Sequence, residues 1–386
     1  MVTPPAPPLG VYIHWPFCAR ICPYCDFNVY RARRGAGEVD DLVAAIERDL
    51  VAQRRMTGPR TLVSIFFGGG TPSLMPPAGV ARLIEVCRSL WTPDDAVEVS
   101  LEANPTDAET QKFQDLAAAG VNRLSLGLQS LDEAELVFLG RNHGADEGWR
   151  AAATASAAFS RVSVDLIYAL PDQRPQAWEA TLGRIADLGV EHVSPYQLTI
   201  EAGTAFDRAA GRGRFTPLDP DRAASLFELT DQVLSGFGFD AYEVSNHARG
   251  EAARSRHNLV YWRGEDYVGA GPGAHGRLTL NGGRTATLAE AKPADYVART
   301  LKDGTGFCAV ETLSAQEAAQ ERLLMGLRID AGVAFEDLAA LGLGPDQEKV
   351  RDLMGLGLVR VEAGRLATTR AGRAILDAIT RKLISL

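Results

Sequence analysis

A chain of 386 residues suggests two or three domains at about 150 residues each. With 46% hydrophobic and 23% charged residues, it has the mixture of a globular protein that buries a sizeable core. Its 40 Lys plus Arg against 49 Asp plus Glu leave a formal net charge of −9, the wrong sign for a protein whose main work is coating nucleic-acid phosphates or an anionic membrane.

The Pro-rich opening, residues 1–10, has neither a positive stretch nor an apolar one and reads as neither a signal nor a transit peptide. No apolar run approaches the roughly 18 residues that a membrane span needs; the longest strong ones resemble 62–67. The expected location is the cytoplasm. Residues 11–14 then read as a short strand and 39–53 as a helix. Residues 61–67 form an apolar strand, 78–90 a helix, 96–101 a strand, 108–119 a helix, 123–128 a strand and 148–159 a helix. Segments 162–168, 176–188, 190–198 and 220–237 continue the alternation. Strands that are apolar throughout, separated by amphipathic helices, indicate a parallel sheet with helices outside it. About six such units suggest a closed or partly closed βα barrel over residues 1–238, although a doubly wound open sheet gives a similar pattern.

From residue 239 the rhythm changes. Residues 239–312 read as a connecting region rich in Gly, aromatics and His, with short strand-like pieces. Helical patterning returns at 315–326, 335–341 and 345–356, followed by strand-like 358–361, a turn at Gly364, strand-like 366–368 and a last helix from Arg370. Residues 313–386 therefore read as a small α+β, winged-helix-like domain. The helix placed for recognition carries Asp346, Glu348, Lys349, Arg351 and Asp352, so it is not basic, which favours a structural or protein-contacting role over DNA reading.

Five cysteines are too few and too clustered for a disulfide framework. Cys18-Ala19-Arg20-Ile21-Cys22-Pro23-Tyr24-Cys25 places three thiols on one loop after an expected strand, and thiolates favour iron–sulfur clusters or zinc. A [4Fe-4S] cube held by three protein ligands keeps one iron open for a chelating small molecule. A Cys₃His zinc site completed by His14 competes, although His14 lies on a strand four residues upstream, outside the usual zinc spacings. Three packed cysteines are the plainest alternative. Cys87 and Cys308 read as small apolar residues in packed surroundings.

Tyr12-Ile13-His14-Trp15-Pro16-Phe17-Cys18, with Cys22 and Cys25, resembles the radical S-adenosylmethionine (SAM) enzymes. More narrowly, it resembles the group holding the oxygen-independent coproporphyrinogen III oxidases (HemN) and the HemW-type heme chaperones. The resemblance covers nearly the whole chain through several separated motifs. It implies a radical SAM, partial TIM-like βα barrel with a [4Fe-4S] cluster on Cys18, Cys22 and Cys25. It also implies that SAM chelates the open iron, where an electron from the reduced cluster cleaves the sulfonium to a 5′-deoxyadenosyl radical.

Gly68-Gly69-Gly70-Thr71-Pro72-Ser73 follows the second strand, where parallel α/β folds place ligand loops, and its glycines let backbone carbonyls approach an amino group. Glu102-Ala103-Asn104-Pro105 ends the third strand, and Arg123 to Ser130 makes the fourth. Leu139-Gly140-Arg141 follows, and Val164-Asp165-Leu166-Ile167-Tyr168 makes the fifth. An acid at a strand end suits ribose hydroxyls, and an Arg suits a carboxylate. By resemblance, Tyr12, Gly69, Gly70, Thr71, Glu102, Gln129, Arg141 and Asp165 touch the cofactor.

Two departures separate the chain from the oxidases. Phe27 stands where their pattern has a further Cys, and eleven residues precede Tyr12 where they carry an extension that shapes the porphyrinogen pocket and a second cofactor site. In addition, His257-Asn258-Leu259-Val260-Tyr261-Trp262 matches the HNxxYW motif associated with heme in the chaperone branch. A His can ligate heme iron, and aromatics can contact the macrocycle. The plainer alternative has Tyr261 and Trp262 packing a domain junction with His257 hydrogen-bonded. His275, in Gly271-Pro272-Gly273-Ala274-His275, is a weaker candidate of the same kind, and His247 receives no role. The resemblance thus implies a heme chaperone using a [4Fe-4S] cluster, SAM and heme. Its implied partners are a heme-acceptor protein, respiratory proteins among the candidates, a reductant such as flavodoxin or ferredoxin, and a second copy in a cluster-sensitive homodimer, with no nucleic acid. The competing reading is oxygen-independent oxidative decarboxylation of coproporphyrinogen III.

Overall fold

The computed structural model describes residues 8–32, 36–107 and 110–384. Six strands run parallel to one another: β1 (Leu9–Trp15), β2 (Thr61–Gly69), β3 (Thr92–Ala103), β4 (Arg123–Gln129), β5 (Arg161–Tyr168) and β6 (His192–Gln197). Their order in space is their order in the chain. A doubly wound sheet reverses that order at its switch point, so the strictly sequential winding decides for the partial barrel. The strands are buried because both faces are covered. Val11 and Ile13, Ile65 and Phe67, Leu124 and Leu126, and Val164 and Leu166 share one apolar cluster with helix residues Ile46, Leu83, Leu116 and Leu182.

The expected helix at 108–119 is seen as Thr110–Ala118, and its first two positions lie outside the described residues, as does most of the Pro-rich opening.

The barrel does not close. Beyond β6 the sheet ends in the two-residue strands His247–Ala248 and Asp240–Ala241. On the other side β7 (Asp266–Ala270) pairs parallel with β1, and an antiparallel meander follows: β8 (His275–Leu280), β9 (Gly283–Ala289) and β10 (Phe307–Thr312). Much of 239–312 therefore extends the barrel's own sheet, giving twelve strands in all.

That region also holds helices that its strand-like pattern does not suggest, Arg256–Trp262 and Pro293–Asp303. The first is capped by Ser255, whose Oγ accepts from the Asn258 N–H at 3.3 Å, so the HNxxYW motif lies on a helix. His257 and Tyr261, four apart, consequently meet on one face.

The smaller C-terminal domain starts with helix Ala315–Gly326, opened by a Ser314–Glu317 capping box. A 3₁₀ turn, Phe335–Leu341, and helix Glu348–Gly355 follow. The hairpin Val359–Glu362/Arg365–Thr368 turns through Ala363 (φ 47°) and Gly364 (φ 72°), the left-handed pair that a tight hairpin turn needs. Leu323, Leu327, Val350, Leu353, Leu366 and Ile379 form its separate core. The helix expected from Arg370 breaks into Arg370–Arg373 and Leu376–Ile384.

Cys87 is buried as expected, but Cys308 is exposed. It sits on the edge strand β10, whose residues after Phe307 are all exposed, so packing does not claim its side chain. Among the described residues no helix is long and apolar enough to cross a membrane.

Candidate functional site

The thiol loop leaves the barrel where β1 ends. Phe17–Cys18 pairs in parallel with Tyr30–Arg31, closing a loop over residues 19–29. The Cys25 N–H donates to the Cys22 carbonyl at 3.2 Å, and the Phe206 N–H donates to the Pro23 carbonyl at 2.9 Å. The glycine loop after β2 locks onto the same segment: Gly70 N–H reaches the Trp15 carbonyl at 2.7 Å and Thr71 N–H the Phe17 carbonyl at 2.9 Å. A Cβ on Gly70 would lie 2.7 Å from the Phe17 carbonyl oxygen and 3.0 Å from Cys18 Sγ, so only glycine lets the two loops close.

Cys18 is buried, while Cys22 and Cys25 are half-buried. Burial pushes the Cys25 thiol up to about 11 and raises that of Cys18, so a metal bound there would have to displace their protons. Among the described residues no three His, Cys, Asp or Glu side chains are placed to hold a single metal ion. Three soft thiols on one loop beside a cavity are donors of the kind that an iron–sulfur cluster takes.

A cavity of about 400 Å³ opens beside the thiols, within the range of about 300–1,000 Å³ typical of small-molecule sites. Cys18, Cys22 and Cys25 line it together with Gly69, Gly70, Thr71, Glu102, Gln129, Arg141 and Asp165. Glu102 Oε2 accepts from the Gly69 N–H at 3.1 Å. Burial, reinforced by Asp165, pushes the Glu102 carboxyl up to about 8. Asp165 is pushed up to about 6 by burial, against two stabilising hydroxyls, and accepts from Ser125 Oγ at 2.9 Å. Arg141 fans out to Asn104 Oδ1 at 2.5 Å, the Gly127 carbonyl at 2.9 Å and Cys22 Sγ at 3.3 Å, with its Nε left buried and without a hydrogen-bond partner among the described residues. Gln129 sits at φ 67°, a left-handed position that a side chain rarely adopts, just after a register shift between Gly127 and Gln129. Bulges of this kind re-aim a side chain beside a site. Three soft thiols, the carboxyl groups of Glu102 and Asp165 and the Arg141 guanidinium, among the groups around this one space, suit a cluster and a small molecule carrying hydroxyls and a carboxylate.

Tyr12 is placed differently. It stacks on Phe66 and His257 and bonds His14 Nδ1 at 3.0 Å, lining a second, larger cavity of about 1100 Å³. The two spaces adjoin, since Asp26, Phe27, Gly69 and Glu102 line both. Tyr261 and Trp262 also line the larger one. His257 does not. It is buried, with Nδ1 on Ser64 Oγ at 2.8 Å and Nε2 on Tyr261 OH at 2.7 Å, and its backbone N–H donates to Glu98 Oε1 at 3.1 Å. Burial lowers its pKa to about 3, so the ring is neutral and both nitrogens are engaged. Freeing either nitrogen strands a buried hydroxyl at about 1–3 kcal/mol.

Sequence reasoning left Asn104, Ser125, Gly127 and Tyr196 without roles, yet all four line the smaller cavity. The signal lay in period two: Ser125, Gly127 and Gln129 alternate with Leu124, Leu126 and Leu128 along the strand.

The description "Radical SAM superfamily" matches residues 12–185, and "HemN C-terminal domain" matches residues 313–375. Radical S-adenosyl methionine domain-containing protein 1, mitochondrial, of Mus musculus is 39% identical, covering 97% of this chain and 87% of its own length. Heme chaperone HemW of Mycobacterium tuberculosis is 36% identical, covering 98% of this chain and 96% of the relative. Heme chaperone HemW of Escherichia coli is 41% identical over 72% of each. In three dimensions the chain is similar to coproporphyrinogen III oxidase (HemN) from Escherichia coli, with a TM-score of 0.79 at 22% identity, over all of this chain and 92% of that one.

Proposed function

The chain belongs to the radical SAM superfamily, in the branch of the HemW proteins, and on that premise we propose that it binds heme and hands it to an acceptor protein. The observation that carries this reading is the pair of adjoining cavities, one beside the thiols and one large enough for a macrocycle. Cys18, Cys22 and Cys25 hold a [4Fe-4S] cluster, and the smaller cavity takes SAM. When bound, the cluster supplies one electron to the sulfonium of SAM. The protein's part is to position and to exclude water. Gly69 and Gly70 bring backbone against the ligand, Arg141 takes its carboxylate, and Glu102, Gln129 and Asp165 take its hydroxyls. Thr71 and Asn104, bonded to each other at 3.0 Å, brace the arginine's end of the cavity. Heme occupies the larger cavity, with Tyr12, Phe27, Tyr261 and Trp262 as aromatic surface for the macrocycle. An electron-donating protein and a heme-acceptor protein, a respiratory protein among the candidates, are the partners this reading requires.

Anaerobic reconstitution with iron and sulfide tests the first part. The wild-type chain is expected to take up an iron–sulfur chromophore that the Cys18→Ala/Cys22→Ala/Cys25→Ala variant lacks. A full chromophore in the triple variant contradicts the assignment.

A further inference from the structure

Of the six histidines in the chain, two line the larger cavity, His14 and His275. The ring of His14 is spent: Nδ1 bonds Tyr12 OH at 3.0 Å and Nε2 the Asn28 carbonyl at 2.9 Å. His257 lies outside the lining, with both nitrogens equally committed. His275 is exposed, and neither of its ring nitrogens has a hydrogen-bond partner among the described residues. Desolvation, then Arg277, lowers its pKa, so the ring carries a free lone pair at neutral pH.

The mounting of His275 is rigid. It is the first residue of β8, and the preceding loop is pinned to the thiol segment by Asn28 Nδ2, which donates to the Pro272 carbonyl at 2.9 Å and to the Ala291 carbonyl at 2.8 Å. Gly273, at φ 79°, lies so close to Asn28 that a Cβ there would meet Nδ2 at 2.5 Å. The cavity that His275 lines also presents Tyr12, Phe27, Tyr261, Trp262 and Tyr267, flat aromatic surfaces for a macrocycle. The same cavity presents Arg322, whose Nη2 pairs with Asp337 at 3.0 Å while Nη1 is buried without a partner among the described residues, leaving it as the donor for a carboxylate.

We propose that His275, and not His257, ligates the iron of the heme, with the propionate side directed to Arg322. This rests on the heme-carrier reading above and adds the ligand to it. In the ligation step the neutral imidazole donates a lone pair to the ferric iron, with no change of oxidation state and no proton to move.

The test is an anaerobic hemin titration of the reconstituted full-length chain, followed by absorption and electron paramagnetic resonance. Wild type, His275→Ala and His257→Gln are compared, glutamine being chosen because it keeps hydrogen-bonding capacity at the buried site. His275→Ala is expected to shift the Soret band, lose the histidine-ligated ferric signal and bind hemin at least about tenfold more weakly. Added imidazole restores the wild-type spectrum. His257→Gln keeps the wild-type Soret position. A His275→Ala spectrum and affinity equal to wild type overturns the assignment, as does loss of the signal in His257→Gln alone. A wild-type chain that binds no hemin overturns the carrier reading and the assignment with it.

Discussion

Glu102 is a half-buried carboxyl held by one backbone N–H and faced by Asp165, and its pKa stands at about 8 against an ordinary 4.5. Between those values the folded chain keeps a proton that the unfolded chain has released. Stability from this group is therefore full below about pH 4.5, falls as pH rises to about 8, and is flat above. Chemical denaturation of the cluster-free chain should show that decline, and Glu102→Gln should flatten it; an unchanged slope in the variant contradicts the assigned cause. Arg141 joins Cys22, Asn104 and the Gly127 carbonyl. Arg141→Met should weaken SAM binding by about 10–100-fold in equilibrium dialysis while iron content holds, the cost of charge-assisted hydrogen bonds. At this scale the thiols were legible because their spacing is a local property of the chain. Tyr12 was less so: which of two adjoining cavities its side chain enters depends on the neighbours packed over β1.

The helix Arg256–Trp262 has only seven residues, too few to stand on its own propensity. Tertiary contacts hold it. Glu98, buried on β3, accepts from the backbone N–H groups of Arg256 and His257, both at 3.1 Å, and pairs with Arg161 at 2.9 Å. Burial opposes its charge, yet Arg123 and Arg161 outweigh that and keep Glu98 below the usual carboxylate range. Glu98→Leu should cost about 3–5 kcal/mol in urea denaturation, because it leaves the buried Arg123 without its carboxylate partner. It should also speed amide exchange across 256–262; a loss below about 1 kcal/mol would place the helix's anchor elsewhere. The sequence hid this helix behind its aromatic and β-branched residues, which favour strand. The Ser255 cap was the one local sign of it. The barrel strands were legible for the opposite reason, since buried parallel strands read as apolar runs whatever surrounds them.

For the whole molecule, two features shape the larger cavity, and neither is written in any local pattern. One is the pairing of β7 with β1, which carries the meander of β8 to β10 round to the thiol side. The other is the packing of the C-terminal domain across it: Arg328 lies 4.4 Å over the Trp262 ring and bonds Glu243 at 3.0 Å, and Arg277 grips Glu321. Such long-range choices rest on strand order and inter-domain contact, so periodicity located the pieces of 239–312 without revealing that they belong to the barrel's sheet. Arg328→Ala should lower stability by about 1 kcal/mol and raise amide exchange in both 256–262 and 315–326; unchanged exchange in the latter would mean that the domain is held by other contacts. Heme carriage by a radical SAM chain can be read in one anaerobic preparation, reconstituted with its cluster, given hemin and then coproporphyrinogen III with SAM and a reductant. Stoichiometric hemin binding with no conversion of the porphyrinogen is expected. SAM-dependent decarboxylation of coproporphyrinogen III, without stoichiometric hemin binding, would contradict heme carriage.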